Sequence, residues 1–175
     1  PPTHSGTGRY EENDPAMRYN GFPYSQRPQS WSETNVTTAS GSHVAGSSTT
    51  NNTASLQFNG TWVNVGFRIR SNGGQAEVLI DGVSQGIVGL YSASEDVLSV
   101  QYGGLSAGPH TVEVRVVGAP DPPGTQNNIW LDYIDVYDGT AVSDSFSNAN
   151  VAKHNGRVHF STYLGTFPAA NGIEG

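Results

Sequence analysis

The chain has 175 residues, and 15 acidic against 8 basic side chains give it a net charge of −7 at pH 7. An acidic chain with few charged residues does not suit nucleic acid or an anionic membrane as a partner. No apolar run is long enough to span a bilayer, and the absence of cysteine excludes disulfides and thiolate metal sites. The 22 glycines, with frequent Ser, Thr and Asn, are typical of a secreted all-β domain.

The N-terminal region begins without periodicity, so residues 1–9 are predicted to form an arm. The chain starts with two prolines and its one methionine is Met17, which indicates a processed product or an excised fragment. A first strand is expected from Tyr10, followed by a turn at Asp14-Pro15 and a second strand through Tyr19.

The next two segments have little regular patterning. Residues 21–31 place Phe22, Tyr24 and Trp31 among prolines and glutamines, which predicts a loop that carries aromatic rings. Residues 36–53 are mostly Ser, Thr, Gly and Asn. That composition predicts an edge strand and a wide connection that contribute little burial.

Strand periodicity is clear from residue 54 onward, after which Asn59-Gly60 predicts a turn between two strands. Residues 62–70 alternate, which predicts a half-buried antiparallel strand with one apolar face, Val63, Val65, Phe67 and Ile69. Asp81-Gly82 predicts a two-residue hairpin turn. Residues 111–117 show the cleanest alternation, with three valines on the inner face.

The closing strand is predicted at Ile129–Tyr137, an apolar and aromatic run that contains Asp132 and Asp135. Buried acids in such a strand need a partner. No segment has helical periodicity, and two packed antiparallel sheets would bury so many one-faced strands. We therefore expect an all-β jelly-roll β-sandwich over residues 10–139, followed by a C-terminal extension, residues 140–175.

Several short motifs, in this order and spacing, resemble the galactose-binding-like β-sandwich superfamily, and in particular carbohydrate-binding modules of families 6 and 35 and related accessory domains. The resemblance extends over roughly residues 10–138. The motifs are Tyr19-Asn-Gly21 with Trp31 downstream, Leu56-Gln-Phe-Asn-Gly-Thr61, Val78-Leu-Ile-Asp-Gly82, Gly104-Leu-Ser-Ala-Gly-Pro-His-Thr-Val112 and Leu131-Asp-Tyr-Ile-Asp-Val136.

The resemblance implies a ligand cleft formed by loops at one end of the sandwich. Aromatic rings there would stack on the C–H faces of sugars, and planar amides would bind the hydroxyls. By position, the ligand-binding candidates are Trp31, Tyr24, Tyr91, Asn127 and Asn128. The alternative is that Trp31 and Tyr24 pack over the end of the sandwich.

The resemblance also implies a structural calcium ion, held by glutamates of the first strand and an aspartate of the last. Glu11, Glu12 and Asp132 are the corresponding residues, and their oxygens suit a hard cation. Adjacent glutamates replace the alternating acidic pattern of those modules, so we expect one of them to face the site. The alternative is that Asp132 accepts bonds from backbone or from an arginine such as Arg18.

Enzyme signatures are weak, so we expect no catalytic activity. Gly104-Leu-Ser-Ala-Gly108 fits a serine-nucleophile pattern, but Pro109 and a predicted strand follow where that motif needs a helix. Ser106 is therefore interpreted as a turn residue. The five histidines have no metal-binding spacing.

The C-terminal extension has its own weak pattern, in which residues 157–161 echo residues 16–20 and could begin a second repeat. Its apolar residues are predicted to pack on this domain or on a neighbouring chain, and they are Val158, Phe160, Tyr163, Leu164 and Phe167.

These observations predict a non-catalytic carbohydrate-binding accessory module of a larger secreted or cell-surface protein, with a polysaccharide or glycan as its partner. One alternative is a structural or adhesive module, a spacer or protein-interaction domain without sugar binding. A further alternative is an accessory domain of a glycan-active hydrolase.

Overall fold

The computed structural model describes residues 4–139, together with the backbone of residues 153–154 and 157–158. Those residues contain fourteen strands and two short 3-10 turns, Tyr24–Gln26 and Ser40–Ser42, and no α-helix. The first seven strands are β1 Gly8–Glu11, β2 Arg18–Tyr19, β3 Phe22–Pro23, β4 Ser32–Asn35, β5 His43–Ser47, β6 Thr53–Asn59 and β7 Trp62–Ile69. The others are β8 Gly74–Ile80, β9 Val83–Gly89, β10 Asp96–Tyr102, β11 Pro109–Pro120, β12 Ile129–Tyr137, β13 Lys153–His154 and β14 Arg157–Val158.

Two antiparallel six-stranded sheets make up the domain, which confirms the predicted β-sandwich. One sheet has the order β10-β7-β12-β5-β4, with β1 also paired to β12, and the other has the order β3-β2-β6-β11-β8-β9. Alternate residues of the central strands face each other between the sheets and are fully buried, such as Val65, Phe67, Val112, Val114 and Ile134. This core positions the loops at both ends of the sandwich.

The second face of β7 is also buried, so the prediction of a half-buried strand was wrong. Arg68 and Asn64 on that face are only 7% and 4% exposed. The ring of Tyr133 on β12 lies directly over Gly66, where a Cβ atom would overlap it. Cross-strand aromatic rings therefore cover this outer face, a packing that alternation along β7 alone does not reveal.

Strand β5 lies inside its sheet, between β12 and β4, so the predicted edge strand was misplaced. Val44 and Ala45 are fully buried, and the indole of Trp130 lies over Gly46. Small residues let the strand fit beneath a large ring. The composition of residues 36–53 therefore underestimated how much of this segment is buried.

The turn predictions hold, with one difference in what the turns connect. Asp81 and Gly82 both have positive φ, 51° and 78°, and join β8 to β9 as a two-residue hairpin loop. Asn59-Gly60 also separates two strands, but β6 and β7 lie in different sheets. That turn therefore carries the chain across the sandwich.

The chain is ordered earlier than the predicted arm, since β1 begins at Gly8 and Ser5 forms a bridge with Phe58. At the other end, β13 and β14 pair antiparallel as a short ladder. The packing predicted for the apolar side chains of residues 158–167 lies outside the described residues. Among the helical turns of the described part, none has the length and apolar character needed to cross a membrane.

Candidate functional site

Three loops meet at the end of the sandwich where β12 begins. Gly73 pairs with Asn128 in an isolated bridge, and a Cβ atom on Gly73 would overlap the backbone of Leu90. A Cβ atom on Gly74 would likewise overlap the backbone of Asn127. The two glycines let the loop before β10 and the loop before β12 approach from opposite sides. Tyr91, Asn127 and Asn128 are therefore brought to one end of the domain.

Tyr91 is held through its backbone, since its N–H donates to Oδ2 of Asp121 at 3.0 Å. The tyrosine is half-buried, and one edge of its ring lies against Gly124. Tyr91 as a whole residue is therefore partly accessible to solvent.

The two asparagine amides are oriented by protein acceptors. Asn127 Nδ2 donates to the Ser48 carbonyl at 3.1 Å, while Asn128 Nδ2 donates to the Asn72 carbonyl and to Gln126 Oε1, both at 3.2 Å. Both residues are partly exposed. Oriented amides and an aromatic residue at the same end of the sandwich are polar and apolar elements of the kind that a small-molecule site uses. We call Tyr91, Asn127 and Asn128 the loop-end cluster.

Trp31 and Tyr24 do not join the loop-end cluster as free stacking surfaces. Trp31 is 2% exposed, and its ring meets Tyr19 edge-on at a centroid distance of 5.0 Å. The guanidinium of Arg27 lies over the Tyr24 ring at 4.2 Å. The prediction of Trp31 as an exposed sugar platform was therefore wrong, because its indole fills the core, and the packing alternative describes it correctly.

A second cluster lies where β1 meets β12. Leu131 pairs with Phe67 and Tyr133 pairs with Gly66, so Asp132 is an extra residue, a β-bulge, opposite β7. Strand β1 ends at Glu11, and the backbone N–H of Glu12 donates to the Asp132 carbonyl at 3.0 Å. Adjacent residues of a strand face opposite ways, but Glu12 has already left the strand.

Both glutamates therefore reach the cluster, and the expectation that only one of them faces it was wrong. Carboxylate oxygens of Glu11, Glu12 and Asp132 all lie within 4.8 Å of one another. We call these three residues the carboxylate cluster.

The carboxylate cluster is buried and poorly satisfied. Glu12 and Asp132 are 0% exposed. Within the described chain, both oxygens of Glu12, Oδ1 of Asp132 and Oε2 of Glu11 have no hydrogen-bond partner. Burial, with the neighbouring carboxylates adding to it, raises the pKa of Glu12 and of Asp132 to about 7 each.

Among the described residues, the Ser40 backbone N–H donates to Asp132 Oδ2 at 3.2 Å. The alternative of a backbone partner is thus partly right, but Arg18 donates instead to the carbonyls of Pro15 and Met17. These residues fit a hard cation, because two ligands on opposite sides of Ca²⁺ lie about 4.8 Å apart. The carboxylate cluster therefore has the donor type and spacing for calcium.

A polar network on the outer face of β12 could not be located from the sequence. Arg9 donates from Nε and Nη2 to the two oxygens of Asp135, at 2.7 and 2.8 Å, and stacks on the ring of Tyr133 at 3.8 Å. Tyr133 in turn bonds Ser99 at 2.7 Å. The two acids of β12 thus differ, since Asp135 is paired with Arg9, whereas no arginine of the described ranges pairs with Asp132.

A chain of side-chain contacts that resembles a catalytic triad connects Ser106, His110 and Asp81. Asp81 Oδ2 lies 2.6 Å from His110 Nδ1, and Ser106 Oγ lies 3.5 Å from His110 Nε2. However, Nε2 is 2.7 Å from the Ser106 carbonyl, which can only accept a hydrogen bond. The imidazole therefore donates from both nitrogens and has no lone pair to activate the serine.

The charge of His110 is consistent with this structural role. Burial alone lowers the pKa of His110, but the bonds to Asp81 and to the Ser106 carbonyl outweigh it and raise the pKa above its usual value. Asp81 Oδ1 also accepts from the Thr111 N–H at 2.8 Å. This arrangement ties the β8–β9 hairpin to the start of β11.

Of the comparisons with known proteins, the one with solved structures finds matches. No family model matches the chain, and no curated protein matches it in sequence. A CBM36-1 domain of a multidomain xylanase from the hindgut metagenome of Trinervitermes trinervoides is similar at a TM-score of 0.52 and 13% identity, covering 77% of this chain and 98% of that one. The likeness shows a shared β-sandwich fold.

Two other similar structures are larger enzymes. A two-domain esterase active on acetylated mannans, co-crystallised with mannopentaose, has a TM-score of 0.52 and 14% identity over 75% of this chain. A Paenibacillus xanthan lyase has a TM-score of 0.50 and 16% identity over 62% of this chain. This chain spans 36% of the esterase chain and 12% of the lyase chain. At these identities the likeness shows a shared fold.

Proposed function

We propose that this chain is a non-catalytic carbohydrate-binding module of a larger extracellular or cell-surface protein, and that it binds a polysaccharide through the loop-end cluster. The observation that carries the proposal is the convergence of Tyr91, Asn127 and Asn128 around Gly73-Gly74. The similarity to a carbohydrate-binding domain over 98% of that domain's length supports it.

The chemistry of the loop-end cluster suits a neutral sugar. The Tyr91 ring would offer a π surface to the C–H face of a pyranose. The Asn128 NH₂ donates to two protein acceptors and the Asn127 NH₂ to one, so the two amide oxygens would accept bonds from sugar hydroxyls and the second N–H of Asn127 would donate one. The protein's net charge of −7 also favours a neutral ligand over an anionic one.

The carboxylate cluster would hold a structural Ca²⁺ ion in this proposal. When bound, the ion supplies positive charge to three converging acids that otherwise repel one another. Glu11 and Glu12 would then be fastened to the β-bulge at Asp132, which joins β1 to the middle of its sheet.

Gel retardation in soluble polysaccharides tests the binding proposal. The wild-type protein should be retarded by at least one polysaccharide of a panel containing xylans, mannans and galactans, and Tyr91→Ala should abolish that retardation. Phe22→Ala is the control, because Phe22 is an exposed aromatic residue on β3, outside the loop-end cluster. Retardation that persists in Tyr91→Ala would contradict the assignment of the site.

A structural or adhesive module is the second candidate function. The burial of Trp31 favours it, because one of the predicted ligand-binding aromatics instead closes the fold. This candidate predicts that no polysaccharide of the panel retards the wild-type protein.

A further inference from the structure

Glu12 also takes part in a second group of possible metal ligands, with Glu33 and His43. One of its carboxylate oxygens lies within 4.8 Å of ligand atoms of Glu33 and His43, which are themselves within 4.8 Å of each other. Glu12 is 0% exposed, and neither of its oxygens has a hydrogen-bond partner in the described part of the chain. A buried carboxylate without hydrogen-bond partners is costly in free energy, so both oxygens of Glu12 are available as metal ligands.

The sheet register places Glu33 and His43 on one face. Strands β4 and β5 pair antiparallel, with Asn35 opposite His43 and Glu33 opposite Ala45. Glu33 and Asn35 are two residues apart, so their side chains share a face with His43. The Glu33 and His43 side chains are 30% and 33% exposed, and Glu33 Oε1 lies 3.7 Å from His43 Nε2. The group is therefore open to solvent on one side and closed by Glu12 on the other.

A hydrogen bond at Nδ1 orients the imidazole of His43 so that Nε2 can bind a metal ion. Nδ1 lies 2.8 Å from the Gly41 carbonyl, which can only accept, so Nδ1 carries the proton. In the neutral ring the lone pair is then on Nε2, the nitrogen that faces Glu33. Metal-binding histidines usually have this arrangement, in which a backbone carbonyl fixes the tautomer and the ring orientation.

A surface ion pair explains only part of this geometry. Arg27 Nη2 lies 3.6 Å from Glu33 Oε2, which leaves Oε1 as the oxygen that faces His43. A protonated His43 could pair with Glu33, but that pair gives no hydrogen bond to either buried oxygen of Glu12.

We infer that Glu12, Glu33 and His43 form a second, solvent-facing metal site that takes a divalent transition ion such as Zn²⁺. One imidazole nitrogen with two carboxylates suits Zn²⁺ better than Ca²⁺, which prefers oxygen ligands alone. Three protein ligands leave a coordination position open toward solvent. Because Glu12 also belongs to the carboxylate cluster, its carboxylate would bridge the two sites.

Calorimetric titration of Zn²⁺ into the calcium-loaded full chain tests this inference. The wild-type protein should bind one more zinc ion than His43→Gln does, or bind it with an affinity that is higher by roughly tenfold or more. Glu33→Gln should show the same loss. His4→Gln is the matched control and should behave as the wild type, because His4 is not part of the group formed by Glu12, Glu33 and His43.

Two outcomes would overturn the inference. Identical zinc isotherms for the wild type and His43→Gln would show that His43 is not a ligand. Zinc binding that is lost in Asp132→Asn but kept in His43→Gln would place the zinc in the carboxylate cluster instead. The effect of Ca²⁺ on melting is a separate readout, and it should be unchanged in His43→Gln.

Discussion

Asp132→Asn gives the sharpest test of the calcium site, because its effect on stability should have opposite signs in chelator and in calcium. In chelator, the ionised carboxylate of Asp132 is buried and lies near those of Glu11 and Glu12. Burial raises the pKa of Asp132 to about 7. Since one pKa unit corresponds to about 1.4 kcal/mol, the buried charge costs on the order of 4 kcal/mol at alkaline pH. We therefore expect the metal-free variant to be at least as stable as the metal-free wild type at pH 8.

Calcium should reverse that order. At a Ca²⁺ concentration about a hundredfold above Kd, binding stabilises the folded wild type by about 2.7 kcal/mol. For a domain of this size, about 3 °C per kcal/mol gives an increase in Tm of about 8 °C. Asp132→Asn should lose that increase, because it replaces a charged ligand whose Oδ1 has no hydrogen-bond partner among the described residues.

The pH dependence provides a second check on the same cluster. Because the folded pKa of Glu12 and of Asp132 is raised, the metal-free protein should be most stable below pH 4 with respect to these groups, and should lose that stability as the pH rises to about 7. Calcium should remove this loss, because it stabilises the ionised carboxylates.

Differential scanning calorimetry in calcium and in chelator measures both effects. Asp138→Asn is the matched control, since Asp138 is exposed and follows the same strand. The reasoning is refuted if Ca²⁺ leaves the wild-type Tm unchanged, or if Asp132→Asn responds to Ca²⁺ as the wild type does.

Three further predictions concern packing and charge. Trp31→Ala should lower the free energy of unfolding in urea by about 3–5 kcal/mol, because the indole is buried, whereas a change smaller than that of Phe22→Ala would contradict its place in the core. Gly66→Ala should lower the free energy of unfolding by about 1–3 kcal/mol, because the new methyl group overlaps the Tyr133 ring. Gly6→Ala should leave the free energy of unfolding nearly unchanged, because Gly6 has open space around it. Because the pKa of His110 is raised in the folded protein, its charge stabilises the fold below the unfolded-state pKa, and this stabilisation is lost as the pH rises through the folded-state pKa. His110→Gln should therefore lower the free energy of unfolding more at pH 6 than at pH 9. A decrease that is independent of pH would argue against a charged His110.

The fold was predictable because its strands have one clear apolar face. Val112, Val114 and Val116 alternate with polar residues, and all three are buried in the core as expected. The hairpin at Asp81-Gly82 follows from the preference of those residues for positive φ.

The errors arose where tertiary packing overrides composition. The small residues of β5 looked like an exposed edge, yet they allow Trp130 to lie over Gly46. The partly apolar outer face of β7 is covered by side chains of β12, a pairing that depends on long-range register. Local sequence cannot supply that register.

The candidate sites were predictable only in part, because their geometry also depends on long-range strand pairing. The resemblance named Asp132 and both glutamates, but the way that Glu12 joins the cluster depends on where β1 ends. The pairing of Asp135 with Arg9 connects residues 126 positions apart, so no local pattern indicates it. Trp31 was misassigned because a tryptophan in a loop has the same sequence signature whether it covers the core or a ligand.

Polysaccharide binding by the loop-end cluster is the central claim, and affinity gel electrophoresis of matched variants tests it most directly. The account predicts that the wild type and Phe22→Ala are retarded equally by at least one neutral polysaccharide, and that Tyr91→Ala migrates as it does in a gel without polysaccharide. Equal retardation of Tyr91→Ala and the wild type, or no retardation of the wild type by any polysaccharide of the panel, would contradict it.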